Sequence, residues 1–292
     1  MPRSRQMKLG PPIDLLVQRA VMLLLDNAPE DGSPYYGCFS GGKDSVAIKK
    51  LTHMAWMENR KLAMLEGRLV PRTRLLSPPE RPFVIWHYNV IIDPPELMRF
   101  IMSEHPDVKW ERAKKKNGEK RSPFFRRIRE KLMVPTRFRR WCCNEYKHTK
   151  GPKGCTRILG IRIEESAKRK SRYTACVMPK AAGRQEIYPI RLWTHDNVWQ
   201  FIRGWKIPYC SLYDEGFERL GCVGCPRGTP KHRMAEFARW PKFEQQWRAA
   251  CDFVVAERTR LGKPPPPAIF APSGQPRDCR APPLQRGASN GG

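Results

Sequence analysis

Two groups of residues in this 292-residue chain have types and spacings that could do chemistry. The first is Ser40-Gly41-Gly42-Lys43-Asp44-Ser45, which follows the apolar run YYGCF and opens a long helical pattern. A turn at that place gathers unpaired backbone N–H groups and the positive end of a helix dipole at one point. Glycines let the backbone approach an anion closely. Ser40 and Ser45 add hydroxyl donors, and Lys43 adds a charge. The stretch reads as a phosphate cradle, although its spacing is not the GxxxxGK[ST] of the P-loop. A purely structural tight turn would need neither Lys43 nor both serines.

The second group is made of cysteines. Cys142 and Cys143 are adjacent, and Cys222 and Cys225 form a CxxC pair in GCVGCP. A lone CxxC is ambiguous between zinc, redox and cluster roles. Adjacent side chains bite awkwardly on one tetrahedral zinc, whereas neighbours can ligate different irons of a four-iron cube. The pattern therefore favours a [4Fe–4S] cluster, with zinc as the alternative. Cys210 could replace one member of the adjacent pair. Cys38, Cys155, Cys176, Cys251 and Cys279 are assigned no role; Cys38 falls in an expected buried strand, and Cys279 in the tail.

Lys and Arg total 55 against 28 Asp and Glu, a net charge of +27. Such an excess repels itself unless a polyanionic partner or substrate neutralises it. Residues 109–140 hold fourteen Lys or Arg and three Glu, with Trp110, Phe124, Phe125 and Phe138 interleaved. Basic residues with aromatics between them suit a nucleic-acid strand; the competing reading is a solvated basic linker anchored by its aromatics. The apolar run VMLLL is far too short to span a bilayer. No secretory signal is visible, so a cytoplasmic location is expected, where ten cysteines are not a disulfide framework.

Elements must position these groups. Helical periodicity covers 13–26 and 44–65, and YYGCF (35–39) reads as a buried strand. RPFVIWHYNV (81–90) reads as a second strand, and Pro94–Pro95 open a helix. TRILGIR (156–162) reads as a third strand followed by the short helix EESAKRK. Thr194 can cap a further helix, and 232–260 is helical with an interruption at Pro241. From Lys263 onward the chain is rich in Pro, Gly and small polar residues and is expected to be disordered. Strand, Gly-rich turn and helix in succession imply an α/β fold. The expected division is an N-terminal helix in 1–34, a nucleotide-binding domain over 35–230, a helical region in 231–262 and the tail.

The string SGGKDS resembles the pyrophosphate loop of the ATP-pyrophosphatase superfamily, and further matches resemble its phosphoadenosine phosphosulfate (PAPS) reductase family over about residues 35–230. GIRIEESAKR (160–169) resembles that family's G-x-R-x-x-E-S-x-x-R segment, YPIRLWTHDNVWQFI its P-I-x-x-W element, and VIWHYNVIIDPPELMRFI its second-strand element with an altered turn at Asn89–Asp93. The resemblance implies a Rossmann-like, adenine nucleotide α-hydrolase-like parallel sheet with flanking helices. It implies that Arg162 reaches the nucleotide phosphates while Glu165, Ser166 and Arg169 shape the site. Lys43, Asp44 and Arg162 then carry the chemistry. The CC…CxxC arrangement resembles the cluster motif of assimilatory adenosine phosphosulfate (APS) reductases. Sulfonucleotide reductases of this kind carry a cysteine in E-C-G-[IL]-H, which RDCRAPP around Cys279 does not match.

Three activities follow as expectations. The first is ATP cleavage between the α and β phosphates, with Mg²⁺, adenylating a nucleic acid or another anionic substrate for sulfur transfer from a sulfur-donor protein. The second is reduction of APS or PAPS to sulfite. The third is a non-catalytic nucleic-acid-binding module.

Overall fold

The computed structural model describes residues 11–29, 31–65, 83–115, 117–147, 151–181, 183–264 and 266. The expected tail and part of the 81–90 strand's approach lie outside the described residues. Two compact units share the chain. The first draws on Met1–Asn89, Pro95–Glu111 and Thr149–Leu220, and the second on Val90–Pro94, Arg112–His148 and Gly221–Gly292. The nucleotide domain expected over 35–230 thus contributes to both.

The first unit is built on a six-stranded sheet. Its strands are β1 (Tyr35–Phe39), β2 (Val84–Asn89), β3 (Lys109–Glu111), β4 (Thr156–Ile158), β5 (Val177–Pro179) and β6 (Gln185–Ile187). Their order is β3-β2-β1-β4-β6-β5, parallel throughout except for β5 against β6. The sheet is therefore mixed but mostly parallel, flanked by helices, in the Rossmann-like manner. β1 is central, with β2 on one side and β4 on the other, so strand order reverses beside it; ligand crevices in open α/β sheets form at the carboxyl ends of strands around such a point. β1 carries Gly37 because Trp86 lies across it: a Cβ there would stand 2.4 Å from the indole.

The helices of this unit are α1 (Ile13–Asp26), α2 (Lys43–Leu65), α3 (Pro95–Glu104), α5 (Ala167–Arg172) and α6 (His195–Gly204), with α4 (Phe124–Lys131) belonging to the second unit. α1 buries Leu16, Val17, Ala20 and Leu24 on one stripe, and the Tyr35 hydroxyl donates to the Leu24 carbonyl at 2.6 Å. α2 buries Val46, Ala47, Ile48, Leu51 and Ala55. Thr194 closes a full capping box with Asn197 at the start of α6. The strand expected to run to residue 162 ends at Ile158. Beyond it Gly160 comes so near α2 that a Cβ would lie 3.0 Å from the Asp44 carbonyl oxygen, and a close approach of that kind takes the chain out of the ladder.

His105 is 8% exposed, beside the Phe39 and Phe100 rings, and its Nδ1 lies 3.3 Å from Lys49 Nζ. Burial, then Lys49, pulls its pKa down to about 4, partly opposed by Asp107. The unfolded chain therefore binds the extra proton first as pH falls. Stability from this group is full above about pH 6.5, its unfolded value, and is lost on going down to about pH 4, by on the order of 2–3 kcal/mol. His105→Phe should flatten that limb of the stability–pH curve; an unchanged limb in denaturant titrations would assign it to other groups.

The second unit contains α4, a π-helical turn over Cys143–Lys147, α7 (Pro230–Arg239) and α8 (Pro241–Arg260). The helical pattern interrupted at Pro241 is thus two helices. α4 packs Phe124 edge-on to Trp247, with ring centroids 5.3 Å apart, and Ile128 is fully buried. Glu145 is gripped by three cations: Arg127 and Lys131 each at 2.9 Å and Arg121 at 3.1 Å. Three of the basic residues of 109–140 are therefore turned onto one carboxylate inside this unit. No helix among the described residues is long and apolar enough to cross a membrane.

Candidate nucleotide site and cysteine group

In the first unit a cavity of about 430 Å³ opens where β1 and β4 end, lined by Ser40, Gly42, Lys43, Asp44, Ser45, Gly160, Arg162, Glu165, Arg169, His195, Tyr213, Glu218 and Arg219 among others. Gly41 sits at φ +70°, and a Cβ there would be 2.6 Å from Leu97 and 2.8 Å from Ile101. Only glycine fits both the conformation and the space. Gly42 leads into α2, its carbonyl accepting from the N–H groups of Ser45 and Val46 and from the Ser45 hydroxyl. The Ser40 hydroxyl donates to that of Ser45 at 3.2 Å. The loop is thus folded back on itself with the amino end of α2 facing the cavity.

Lys43 is 5% exposed. Its Nζ donates to the Glu218 carbonyl at 3.2 Å and lies 5.5 Å from the centre of the Tyr213 ring. Burial lowers its pKa, partly opposed by Asp44. An ammonium short of carboxylate partners and stripped of water is primed to gain from an anion. Arg162 is 4% exposed, but its guanidinium is already committed, Nε to Asp44 at 2.7 Å and Nη1 to Glu164 at 2.6 Å. It fixes the loop to the β4 end; among the described residues Lys43 faces the cavity with no carboxylate ion pair, while Arg219, also in the lining, stands 3.8 Å from Glu165. Glu165 pairs with Arg169. Ser166 is exposed and caps α5, its hydroxyl accepting from the Arg169 N–H at 3.2 Å.

Four lining residues were not singled out from the sequence: His195, Tyr213, Glu218 and Arg219. The Tyr213 hydroxyl accepts from the Lys43 backbone N–H at 2.8 Å, so it stands where an anion would meet the helix end. Burial raises its pKa, which keeps it a neutral hydroxyl. Some 170 residues separate it from Lys43 in the chain, and no local spacing could have announced the pair.

Cys142, Cys143, Cys222 and Cys225 all belong to the second unit. The Cys142 and Cys143 side chains are in hydrogen-bonding contact, and Cys142 also feels the charges of Cys222 and Cys225. The contact with Cys142, aided by Lys147, Arg140 and Arg227, draws Cys143 down to about 6, while that same contact and burial push Cys142 up. The stem of Lys147 is exposed, but its ammonium is turned in beside the Cys222 sulfur, which raises the Lys147 pKa. Cys222 itself is pushed up to about 12 by burial, against Lys147. Four thiols in one electrostatic neighbourhood, with cations to offset their charge, form a donor set suited to thiolate ligation. Among the described residues no three His, Cys, Asp or Glu side chains converge on one point as a single ion would need. Cys210 lies in the first unit, 1% exposed, and none of the groups that shift it is a cysteine.

The CxxC loop is held hard. Val223 N–H donates to the Ile92 carbonyl at 2.9 Å, the Trp247 indole N–H to the Val223 carbonyl at 3.0 Å, and Gly224 N–H to the Glu236 carboxylate at 2.8 Å. Gly224 has φ +72°, and a Cβ would stand 2.5 Å from Trp247 Nε1 and 2.7 Å from Phe237. Gly224→Ala is therefore expected to destabilise the second unit by about 2–3 kcal/mol, through strain and overpacking together. A denaturant midpoint equal to wild type would show that the loop is loose.

A glycine turn and a helix amino end at the switch point of a Rossmann-like sheet define an α/β domain with a crevice at its strand ends. The chain belongs to the phosphoadenosine phosphosulfate reductase domain family, whose model matches residues 35–228. Among curated relatives it is similar to the adenosine 5'-phosphosulfate reductase of Allochromatium vinosum, at 31% identity over 83 residues, 28% of this chain and 32% of that protein. It is also similar to the adenosine 5'-phosphosulfate reductase of Pseudomonas aeruginosa, at 25% identity over 74% of this chain and 79% of that one. The match thus spans about a third of the first relative's length. Among solved structures, the FMN adenylyltransferase of Candida glabrata in complex with FAD and pyrophosphate aligns with a TM-score of 0.47 and 16% identity, covering 75% of this chain and 69% of that one.

Proposed function

We propose that the protein is an ATP-dependent enzyme that adenylates a nucleic-acid oxygen in preparation for sulfur transfer. The observation that carries this reading is the buried, solvent-stripped Lys43 beside the amino end of α2, within a cavity edged by Ser40, Ser45 and Arg219. In the proposed reaction an acceptor oxygen attacks the α-phosphorus, the bond from that phosphorus to the α–β bridging oxygen breaks, and pyrophosphate leaves. The loop amides, the serine hydroxyls and Lys43 hold the leaving pyrophosphate and take up the charge that grows on it. Arg162, tied to Asp44, keeps the loop in register. Mg²⁺ accompanies the polyphosphate, as a hard cation with oxygen ligands. The net charge of +27 favours a polyanionic acceptor over a small one.

Cys142, Cys143, Cys222 and Cys225 would hold a [4Fe–4S] cluster, the donor set being all sulfur with Cys142 in the electrostatic neighbourhood of the other three. When bound, such a cluster supplies a place to carry sulfur or a brace for the fold. Arg140, Lys147 and Arg227 offset the thiolate charge in either case.

A second reading, sulfonucleotide reduction to sulfite, has the relatives' activity in its favour; APS or PAPS would then use the same cavity. Product analysis separates the two. Pyrophosphate released from labelled ATP only when RNA or DNA is added is the expected result. Sulfite formed from APS or PAPS with thioredoxin, and no nucleic-acid-dependent pyrophosphate, would replace the first reading by the second.

A further inference from the structure

The turn entering the adjacent cysteines is built in an unusual way. Thr136 is 7% exposed; its N–H donates to the Arg139 carbonyl at 3.2 Å, and its hydroxyl accepts from the Arg139 N–H at 2.9 Å. Those two bonds close a short loop over a buried base of Val134, Pro135 and Thr136. At its tip Phe138 is 82% exposed, more than any other large apolar side chain among the described residues. A lone exposed apolar residue needs no explanation. Here, however, the ring is presented by a fixed turn and has an exposed arginine on each side, Arg137 and Arg139.

The charges of these two arginines are not spent on acidic neighbours. Elsewhere in 109–140, Lys115 pairs with Glu119, Arg126 with Glu130, and Arg121, Arg127 and Lys131 with Glu145, while Arg129 lies over the Phe253 ring. Among the described residues neither Arg137 nor Arg139 has an acidic partner, a property shared with the exposed Lys109, Arg112, Lys114 and Lys120. Arg140, next in the chain, is close enough to Cys143 to act on its charge. Of the described basic residues in this stretch that lack an acidic partner, Arg137 and Arg139 are the pair that flank, one on each side, a ring as open as Phe138, a few residues from Cys142 and Cys143.

We propose that the Arg137-Phe138-Arg139 tip docks a single-stranded nucleic acid, one base stacking on the Phe138 ring and the flanking phosphates meeting Arg137 and Arg139. This deepens the functional reading above and rests on it. A ring on a short turn can stack only on a base whose face is open, which excludes an intact duplex. Docking there also brings the strand past Arg140 toward the cysteine group.

The test uses the full chain, as wild type, Phe138→Ala and the double variant Arg137→Ala/Arg139→Ala. Each is titrated against a fluorescein-labelled RNA or DNA oligonucleotide of mixed sequence, single-stranded or duplex, over a range of salt. All three side chains are exposed, so both variants should melt like wild type. Phe138→Ala should weaken single-strand binding about tenfold or more, with the salt slope unchanged. The double variant should lower the slope by about 1.4, two phosphate contacts on a single strand. Wild type binding single strands with Phe138→Ala equally tight, or duplex preferred over single strand, overturns the docking site and leaves a nucleic-acid acceptor standing. Wild type binding no nucleic acid at low salt overturns both.

Discussion

Lys43→Ala is expected to lower ATP-derived pyrophosphate release by at least about a hundredfold, with the melting temperature close to wild type. The size of the effect follows from where the ammonium sits. At 5% exposure it has given up most of its hydration, and among the described residues its one hydrogen bond is to the Glu218 carbonyl. A fixed, dry cation beside a leaving pyrophosphate needs no reorganisation when charge develops there, and single donors of that kind contribute about 3 kcal/mol to a transition state. The small effect on stability has the same origin: a buried charge with a single carbonyl partner contributes little to the fold, and its removal relieves a desolvation cost. Lys43→Arg should not rescue, because the pocket between Glu218 and the Tyr213 ring is shaped for an ammonium. Turnover at the wild-type rate in Lys43→Ala would remove the loop from the chemistry.

Cys225→Ser is expected to abolish stable metal binding. Iron and sulfide, measured on anaerobically purified protein, should fall at least about tenfold, because a hydroxyl does not replace a thiolate toward soft iron. The second unit should lose stability with it, since metal binding free energy in a small domain is folding free energy. Cys155→Ser is the control: it belongs to the first unit and the four thiols to the second, and it should keep full metal content. Unchanged iron in Cys225→Ser would take Cys225 out of the ligand set, and zinc in place of iron in the wild type would replace the cluster by a single ion.

The parts of this protein that could be read from sequence are those whose causes are local. β1, the glycine turn and α2 follow one another without a gap, and each is dictated by residue types within a few positions: alternation in YYGCF, conformational freedom at Gly41, unbroken periodicity to Leu65. The Thr194 cap and the break at Pro241 were legible for the same reason. Short strands were not. β3, β5 and β6 have three residues each, too few for a period to show, and they exist because a neighbouring strand offers hydrogen bonds. α4 was hidden inside a charge run whose meaning depends on Glu145, a partner beyond the run itself. The same long-range pairing changes how Arg162 is read. Sequence resemblance makes it a phosphate ligand, whereas its contacts with Asp44 and Glu164 make it a clamp on the loop. Tyr213 and Arg219 reach the cavity only through the folded chain, and nothing near them in sequence marks either.

The most direct measurement is a crystal structure of the full chain with a non-hydrolysable ATP analogue and Mg²⁺. The expected result is a polyphosphate on the backbone amides of Gly41–Ser45, within reach of Lys43 Nζ, with the Tyr213 hydroxyl moved off the Lys43 N–H or turned to share the phosphate. A nucleotide bound elsewhere, with that hydroxyl still on the Lys43 amide at 2.8 Å, would contradict the proposed function at its root.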